Sequence, residues 1–471
     1  MQPKQILARW AAVLVVACAA SGAWAAKNVI LMIADGQGYN HVAAAKLYSG
    51  TTPIYETFPA RYAVATFPLN FSSSPTGGHA QVGSYDPVAY WADFNGYPKA
   101  NYTDSAAAAS ALSTGMKTYN NSINTDNDPA VTGTPLKSIF EIAHDKGKAT
   151  GTITTVEWSH ATPAGFGAHN VSRNNYAALA NEMIGSGVLD VIMGCGNPDF
   201  DNNGMVRGTT GDTQYVGGSA TWAALKAGST PFQLVQSKSD FERLAAGDLG
   251  FLAKGKVCGT AQVYETLQQR RSAGNVQQVH PETYLANVPS PAVMANGALN
   301  VLRQNPKGFF IMMEAGGAVD WAAHSGQKGR LIEEEQAFND AVAAVVNWVT
   351  ANSSWDETLL IVTADHETGH LWGAANAYTD LTGAGAEVLN HMVFNSGSHT
   401  NALVPLYAKG AGAELFKQYV VGTDPRRGAY IDNTAVFRVM AGSLDIPEPA
   451  TLAVFAAAGI LCLRRRGNRR V

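Results

Sequence analysis

A chain of 471 residues with 46% hydrophobic and only 15% charged residues can bury a large core, which excludes a disordered or low-complexity protein. Its 33 lysines and arginines face 37 acidic residues, a formal net charge of -4, and no basic block precedes the final residues; charge therefore argues against nucleic acid as a partner. The length fits one large domain or two ordinary ones.

In chain order, Lys4 and Arg9 precede an apolar run from Ala11 to Ala20, and Ala23-Trp24-Ala25 supplies the small residues a signal peptidase reads. Residues 1–25 are expected to be a signal peptide. Short apolar, β-branched runs follow at 28–34, 62–67, 149–154, 189–193, 308–313, 358–363 and 403–408, several of them running into Gly, Asp or Ser. Helical patterns lie between, at 104–112, 136–146, 176–184, 293–303 and 330–348. This alternation predicts an α/β fold, a mainly parallel central sheet with helices on both faces, and a site at the carboxyl ends of the strands. Residues 197–291 are less periodic and richer in Gly, Asn, Gln and Ser, and read as an inserted loop-rich region.

The chain closes on Pro447-Glu448-Pro449, an apolar run from Leu452 to Leu463, and five arginines from Arg464 to Arg470. The run is short for a membrane span, which needs about 20 residues. The order resembles the PEP-CTERM sorting signal of exopolysaccharide-producing Gram-negative bacteria, and the resemblance implies that residues 447–471 are a tail removed by an exosortase-like enzyme. Removing both ends takes away seven basic and one acidic residue, leaving 26 against 36 and a charge near -10. Cys195 and Cys258 alone of the four cysteines stay, enough for one bridge but no disulfide framework.

Acidic and histidine side chains follow the strand-like runs at Asp35, at Glu314 through Asp320 to His324, at Asp365-His366 and at His399. So many carboxylates at one sheet edge repel one another unless cations hold them. Mixed Asp and His ligands suit zinc; oxygen ligands suit magnesium. In Thr103-Asp104-Ser105-Ala106, Asp104 can cap an alanine-rich helix and place Ser105 at its N-terminus, where an anion is favoured and a nearby cation makes the hydroxyl a nucleophile. Two competing patterns fail on local grounds. His366-Glu367-Thr368-Gly369-His370 has the spacing of a zinc protease helix but follows a strand-like run and contains Gly369. Asp199 to Gly204 opens like a calcium loop, yet its twelfth position is Thr210, so it reads as a polar turn.

Together these motifs resemble the alkaline phosphatase family over most of the chain from Asn28 to about Ala441: Val29 to Gly38, Thr103 to Ala107, His160-Ala161-Thr162-Pro163-Ala164 with Arg173, then Glu314, Asp320 with His324, Asp365-His366 and His399, all in family order. The resemblance implies a catalytic domain over 26–446 that hydrolyses small phosphate monoesters through a phosphoserine on Ser105. It implies one zinc on Asp320, His324 and His399 and a second on Asp35, Asp365 and His366 with Ser105. A third metal would touch Asp35, Glu314 and Thr162, and Arg173 would grip two phosphate oxygens. Three departures stand out. Glu314 and Asp320 are six apart where many relatives have five; Trp321 follows the zinc aspartate; and His160 stands where some members carry Asp, so the third metal is expected to be magnesium or, because of His160, zinc or cobalt. A phosphodiesterase of the same superfamily and a non-catalytic envelope or matrix protein are the competing readings; the sulfatase cysteine motif is absent. The expected place is outside the inner membrane, periplasmic, cell-surface or extracellular. Oligomeric state stays open between monomer and homodimer.

Overall fold

Asn28–Ile33, six residues all buried, forms β1 near the centre of an 11-stranded sheet. The structure is a computed structural model that describes residues 26–127, 129 and 133–444, so the signal peptide and the C-terminal tail lie outside the described residues. The further strands are β2 (Ala60–Ala65), β3 (Ala149–Glu157), β4 (Val191–Cys195), β5 (Phe232–Val235), β6 (Lys256–Thr260), β7 (Phe309–Glu314), β8 (Thr358–Thr363), the two-residue β9 (Glu367–Thr368), β10 (Leu371–Trp372), β11 (Val393–Phe394) and β12 (His399–Thr400), then β13 (Val404–Gly410), β14 (Val420–Asp424) and β15 (Gly428–Asp432). The large sheet runs β14-β15-β2-β13-β8-β1-β7-β3-β4-β6-β5. From β8 to β5 every pairing is parallel, while β13 is antiparallel to both neighbours. The fold is α/β, as the alternation of runs predicts.

The period of two explains how one sheet carries two cores. Val29, Leu31 and Ile33 of β1 point into one, with Phe310, Met312, Leu359 and Ile361 of the flanking strands. Ile30 and Met32 point into the other, with Ile311, Met313, Leu360 and Val362. The first is covered by α1 (Ser105–Thr114), α2 (Ile139–Asp145), α3 (Ala161–Gly167) and α4 (Tyr176–Gly185). The second is covered by α5 (Pro291–Leu302), then past α6 (Gly317–His324) by α7 (Lys328–Asn352); α8 (Thr434–Gly442) returns to the first face. In α7, Phe338, Ala341, Val342, Val345 and Val349 recur at three- and four-residue spacing and form its buried stripe. The alanine run of α1 permits close approach of α3: a Cβ at Gly165 would lie 2.6 Å from that of Ala109.

The 197–291 segment departs from the loop-rich expectation. Its strands β5 and β6 extend the central sheet in parallel beyond β4. Their four and five residues are flanked by polar turns, which hides them from a periodicity count. Cys195 and Cys258 are both buried free thiols on β4 and β6, and they form no bridge.

Candidate active site

The carboxyl ends of β1, β7, β8 and β3 open onto one cleft. At the end of β1, Gly36 turns with φ 76°, and a Cβ there would come within 2.9 Å of the Asp320 Cα, so only glycine lets the loop that carries Asp35 lie against α6. The Gly36 N–H donates to Asp365 Oδ1 at 3.1 Å and ties the ends of β1 and β8 together. Asp320 and His324 are four apart on α6 and share a face. β12 pairs with β9, His399 opposite Thr368, which brings the His399 and His366 rings into a stack 3.6 Å between centroids.

Two sets of three side chains converge, with ligand atoms all within 4.8 Å of one another: Asp320, His324 and His399, and Asp35, Asp365 and His366. Their hydrogen bonds fix the tautomers. His324 Nδ1 lies 2.7 Å from the Gly397 carbonyl and His399 Nδ1 2.9 Å from the Thr103 carbonyl. A carbonyl only accepts, so both Nδ1 atoms carry the proton and both Nε2 atoms present lone pairs. Those two Nε2 atoms are 3.0 Å apart, with Asp320 Oδ1 at 3.4 and 3.6 Å. In the second set, the Thr368 hydroxyl donates to Asp320 Oδ1 at 2.5 Å and so accepts from His366 Nδ1 at 3.3 Å. His366 Nε2 then presents a lone pair to Asp35 Oδ1 at 3.4 Å and Asp365 Oδ2 at 3.2 Å, two buried oxygens with no hydrogen-bond donor. Both sets are acceptors facing acceptors, an arrangement that fits a cation at each. Burial first, then the charges of Asp365, Asp320 and Glu314, push the Asp35 carboxyl well above its usual range; burial likewise raises Asp365 and lowers His366.

Ser105 lies between the sets. It is the first residue of α1, buried, its Oγ 3.2 Å from His366 Nε2. Asp104 caps the helix through Ala107 N at 2.9 Å and holds Arg173 Nη1 at 3.1 Å with its other oxygen. Ser105, Arg173, His160, Asp320, Trp321, His324 and His399 line one cleft of about 310 Å³. The β3–β7 register is regular through Thr154 opposite Glu314, so the longer spacing to Asp320 puts no bulge in the strand. Glu314 Oε2 accepts from the Thr154 hydroxyl, while Glu314 Oε1 and the Thr162 hydroxyl are buried close to each other without a well-formed hydrogen bond. His160 has turned into the cleft: its ring stacks on Tyr176 at 6.0 Å and meets Trp321 edge-on at 5.7 Å, with Nδ1 unpartnered. Among the described residues, no third set of three His, Cys, Asp or Glu ligand atoms converges as the first two do.

The protease-like pattern is not helical: Glu367 and Thr368 form β9, Gly369 has φ 93° and His370 φ 45°. Asp199 is spent on Trp222, Lys226 and Thr210, and Asp201 on the turn N–H groups of Asn203 and Met205, as a polar turn requires. Sequence reasoning missed Thr368, which joins the two sets, and Arg270, whose guanidinium lies 5.0 Å over the Trp321 ring at the cleft mouth. No local signal marks the threonine. Arg270 sits in the segment read as loop.

A family model described as alkaline phosphatase matches residues 26–424. Alkaline phosphatase 3 of Bacillus subtilis (strain 168) is 31% identical over 351 residues, 73% of this chain and 61% of that protein. Alkaline phosphatase 4 of the same organism is 32% identical over 357 residues, 74% of this chain and 63% of that one. The chain thus spans about three fifths of the length of these relatives. The alkaline phosphatase from the Antarctic bacterium TAB5 superposes with a TM-score of 0.62 at 24% identity, covering 90% of this chain and 99% of its own, a likeness of fold.

Proposed function

Because the chain belongs to the alkaline phosphatase family, we propose that it hydrolyses phosphate monoesters, with Ser105 as the nucleophile and inorganic phosphate as the product. The observation that carries this reading is the place of Ser105: a buried hydroxyl at a helix N-terminus, between two convergent acceptor sets, in the cleft that holds Arg173. Asp35, Asp365 and His366 would hold one cation and Asp320, His324 and His399 the other, and their mixed oxygen and nitrogen donors suit zinc. When bound, such a pair lowers the pKa of a hydroxyl and stabilises charge on attacking and leaving oxygens.

The protein's own groups supply the rest. The N–H groups of Ser105 and Ala106 in the first turn of α1, which have no intrahelical acceptor, would face the phosphate. Arg173 is held by one Nη1 on Asp104, leaving the rest of its planar fork to pair with two phosphate oxygens. Ser105 Oγ gives its proton to solvent and attacks phosphorus in line; the Oγ–P bond forms as the ester P–O bond breaks, and the leaving oxygen takes a proton back from solvent to depart as the alcohol. Water then attacks phosphorus, the Oγ–P bond breaks, one proton of that water returns to Ser105 Oγ, and phosphate is freed. Glu314 and Thr162, with Asp35, are the proposed third-metal ligands, and His160 beside them turns that site toward zinc or cobalt rather than magnesium. The test is hydrolysis of p-nitrophenyl phosphate against bis(p-nitrophenyl) phosphate by wild type and Ser105→Ala. The reading requires monoester preference and loss of more than about 99% of the rate in the variant; a preferred diester or a retained rate would overturn it.

The same reading places the enzyme outside the inner membrane, with residues 1–25 removed and the tail from 447 onward processed after holding the chain at the membrane. Among the described residues, no helix is long and apolar enough to cross a membrane. Intact mass of the exported protein tests this: a mass that still includes Arg464 to Val471 refutes tail processing.

A further inference from the structure

The two ends of the described chain meet at one spot. Ala26 N donates to the Ser443 carbonyl at 3.1 Å, and Lys146 Nζ donates to the Leu444 carbonyl at 2.8 Å. This spot lies beside Asn28, the first residue of β1, and the cleft lies beyond the last; six residues at about 3.3 Å each put some 20 Å of sheet between them. The residues that lead into three adjacent parallel strands at this pole are lysines: Lys27 before β1, Lys307 before β7 and Lys148 before β3. Lys148 is half-buried and ties the loops together, donating to the Lys27 carbonyl at 2.7 Å and the Lys307 carbonyl at 2.9 Å. Lys27, Lys146 and Lys307 are exposed, and among the described residues none of the three has a carboxylate in ion-pair range. Of the neighbouring acids, Asp145 pairs with Lys137 and Asp190 with Lys256, while Asp356 and Glu357, which lead into β8 on the other side of β1, lie outside ion-pair range of the three lysines. Burial, then the charges of Lys27 and Lys146, lower the Lys148 pKa. A protein with a mature charge near -10 thus keeps, among the described residues, a cluster of lysines without ion-pair partners where the two ends of the described chain meet, and the sequence beyond one of those ends continues into the apolar run from Leu452 to Leu463.

We propose that this lysine pole is a docking surface for anionic lipid headgroups, which seats the fold against the bilayer that holds its tail and turns the catalytic cleft away from it. The occupant is a membrane because the patch surrounds the point where the apolar tail leaves, and because each lysine near an anionic surface adds attraction that falls off within a Debye length. Phosphatidylglycerol vesicles are the probe. The docking itself is independent of the phosphatase reading; hydrolysis is used only to report which way the cleft faces.

The experiment compares the purified full chain with the triple variants Lys27→Glu/Lys146→Glu/Lys307→Glu and Lys27→Arg/Lys146→Arg/Lys307→Arg in co-sedimentation with phosphatidylcholine vesicles containing one third phosphatidylglycerol. The glutamate variant should bind at least about tenfold more weakly and the arginine variant as wild type does. The difference should vanish on pure phosphatidylcholine and in about 0.5 M salt. A measurement on wild type alone, amine acetylation read by mass spectrometry, should show Lys27, Lys146 and Lys307 protected by vesicles and Lys226 not. Vesicle-bound enzyme should hydrolyse a soluble ester as fast as free enzyme. Equal binding by wild type and the glutamate variant overturns the proposal, as does a loss confined to a soluble polyanion such as dextran sulfate, or bound enzyme that hydrolyses only after detergent release.

Discussion

Thr368→Val replaces a buried hydroxyl with a methyl of nearly the same shape at a side chain that hydrogen-bonds to both ligand sets. The lost groups are a donor to Asp320 Oδ1 at 2.5 Å and an acceptor for His366 Nδ1 at 3.3 Å. The backbone stays in place, since Thr368 N still donates to the Gly36 carbonyl at 3.0 Å and β9 still pairs with His399. A hydrogen bond to a carboxylate contributes about 1.5–3 kcal/mol and a neutral one about 1 kcal/mol, but most of that is returned by a bound cation; outer-shell losses typically lower metal affinity by about 10–100-fold. The variant should therefore fold, release zinc to a competing chelator at about 10–100-fold lower chelator activity, and lose kcat/KM in the same proportion at limiting zinc, recovering much of it at saturating zinc. Thr368→Ser, which keeps the hydroxyl, should hold zinc as wild type does. Zinc retention in Thr368→Val within about twofold of wild type would refute the claim that this threonine orients the two sets.

His160→Asp should raise activation by magnesium, because an added oxygen ligand suits magnesium better than imidazole, and an unchanged magnesium response removes the basis for the third-site assignment. Exhaustive chelation should abolish hydrolysis and lower the thermal midpoint, since Asp35 Oδ1 and Asp365 Oδ2 are then buried against an imidazole lone pair; added zinc should restore both, and an unchanged midpoint would contradict the acceptor-against-acceptor reading. Away from the site, His169 contacts Glu182 at 2.8 Å and Glu141 at 3.3 Å; burial opposes its charge, but the two carboxylates raise its pKa to about 9. A raised folded pKa stabilises the fold fully below the unfolded value near 6.5 and loses that contribution as pH climbs through about 9, so His169→Gln should cost about 2 kcal/mol at pH 6, after allowance for the partly exposed carboxylates, and under about 1 kcal/mol above pH 10. Equal destabilisation in urea melts at both pH values would sink it.

The strand ends were legible because chemistry there is tied to local pattern. Asp35, Glu314, Asp365 and His366 each follow a run of buried apolar residues, and a carboxylate after such a run has few structural uses. Asp320 with His324, and Asp104 with Ser105, are readable from helix spacing and capping. β5 and β6 were not legible, since four or five residues between polar turns carry too little period to separate strand from loop. His160 was read as a third-metal neighbour from its motif, but which way its ring turns depends on Tyr176 and Trp321, brought to it by the fold from α4 and α6. Thr368 and Arg270 were invisible for the same reason: a threonine in a two-residue strand and an arginine in an irregular segment acquire their meaning from residues about 48 and 51 positions away. The lysine pole, by contrast, is written plainly as Lys27, Lys148 and Lys307 ahead of their strands, and becomes a surface only once β1, β7 and β3 are known to be neighbours.

The most direct measurement is acid quenching of the zinc-loaded enzyme during turnover of a phosphate monoester, followed by peptide mapping of bound phosphate. Phosphate is expected on Ser105, formed within a turnover, absent from Ser105→Ala and absent after chelation. Phosphate on another residue, or steady turnover with no phosphate on the chain at any quench time, would contradict it.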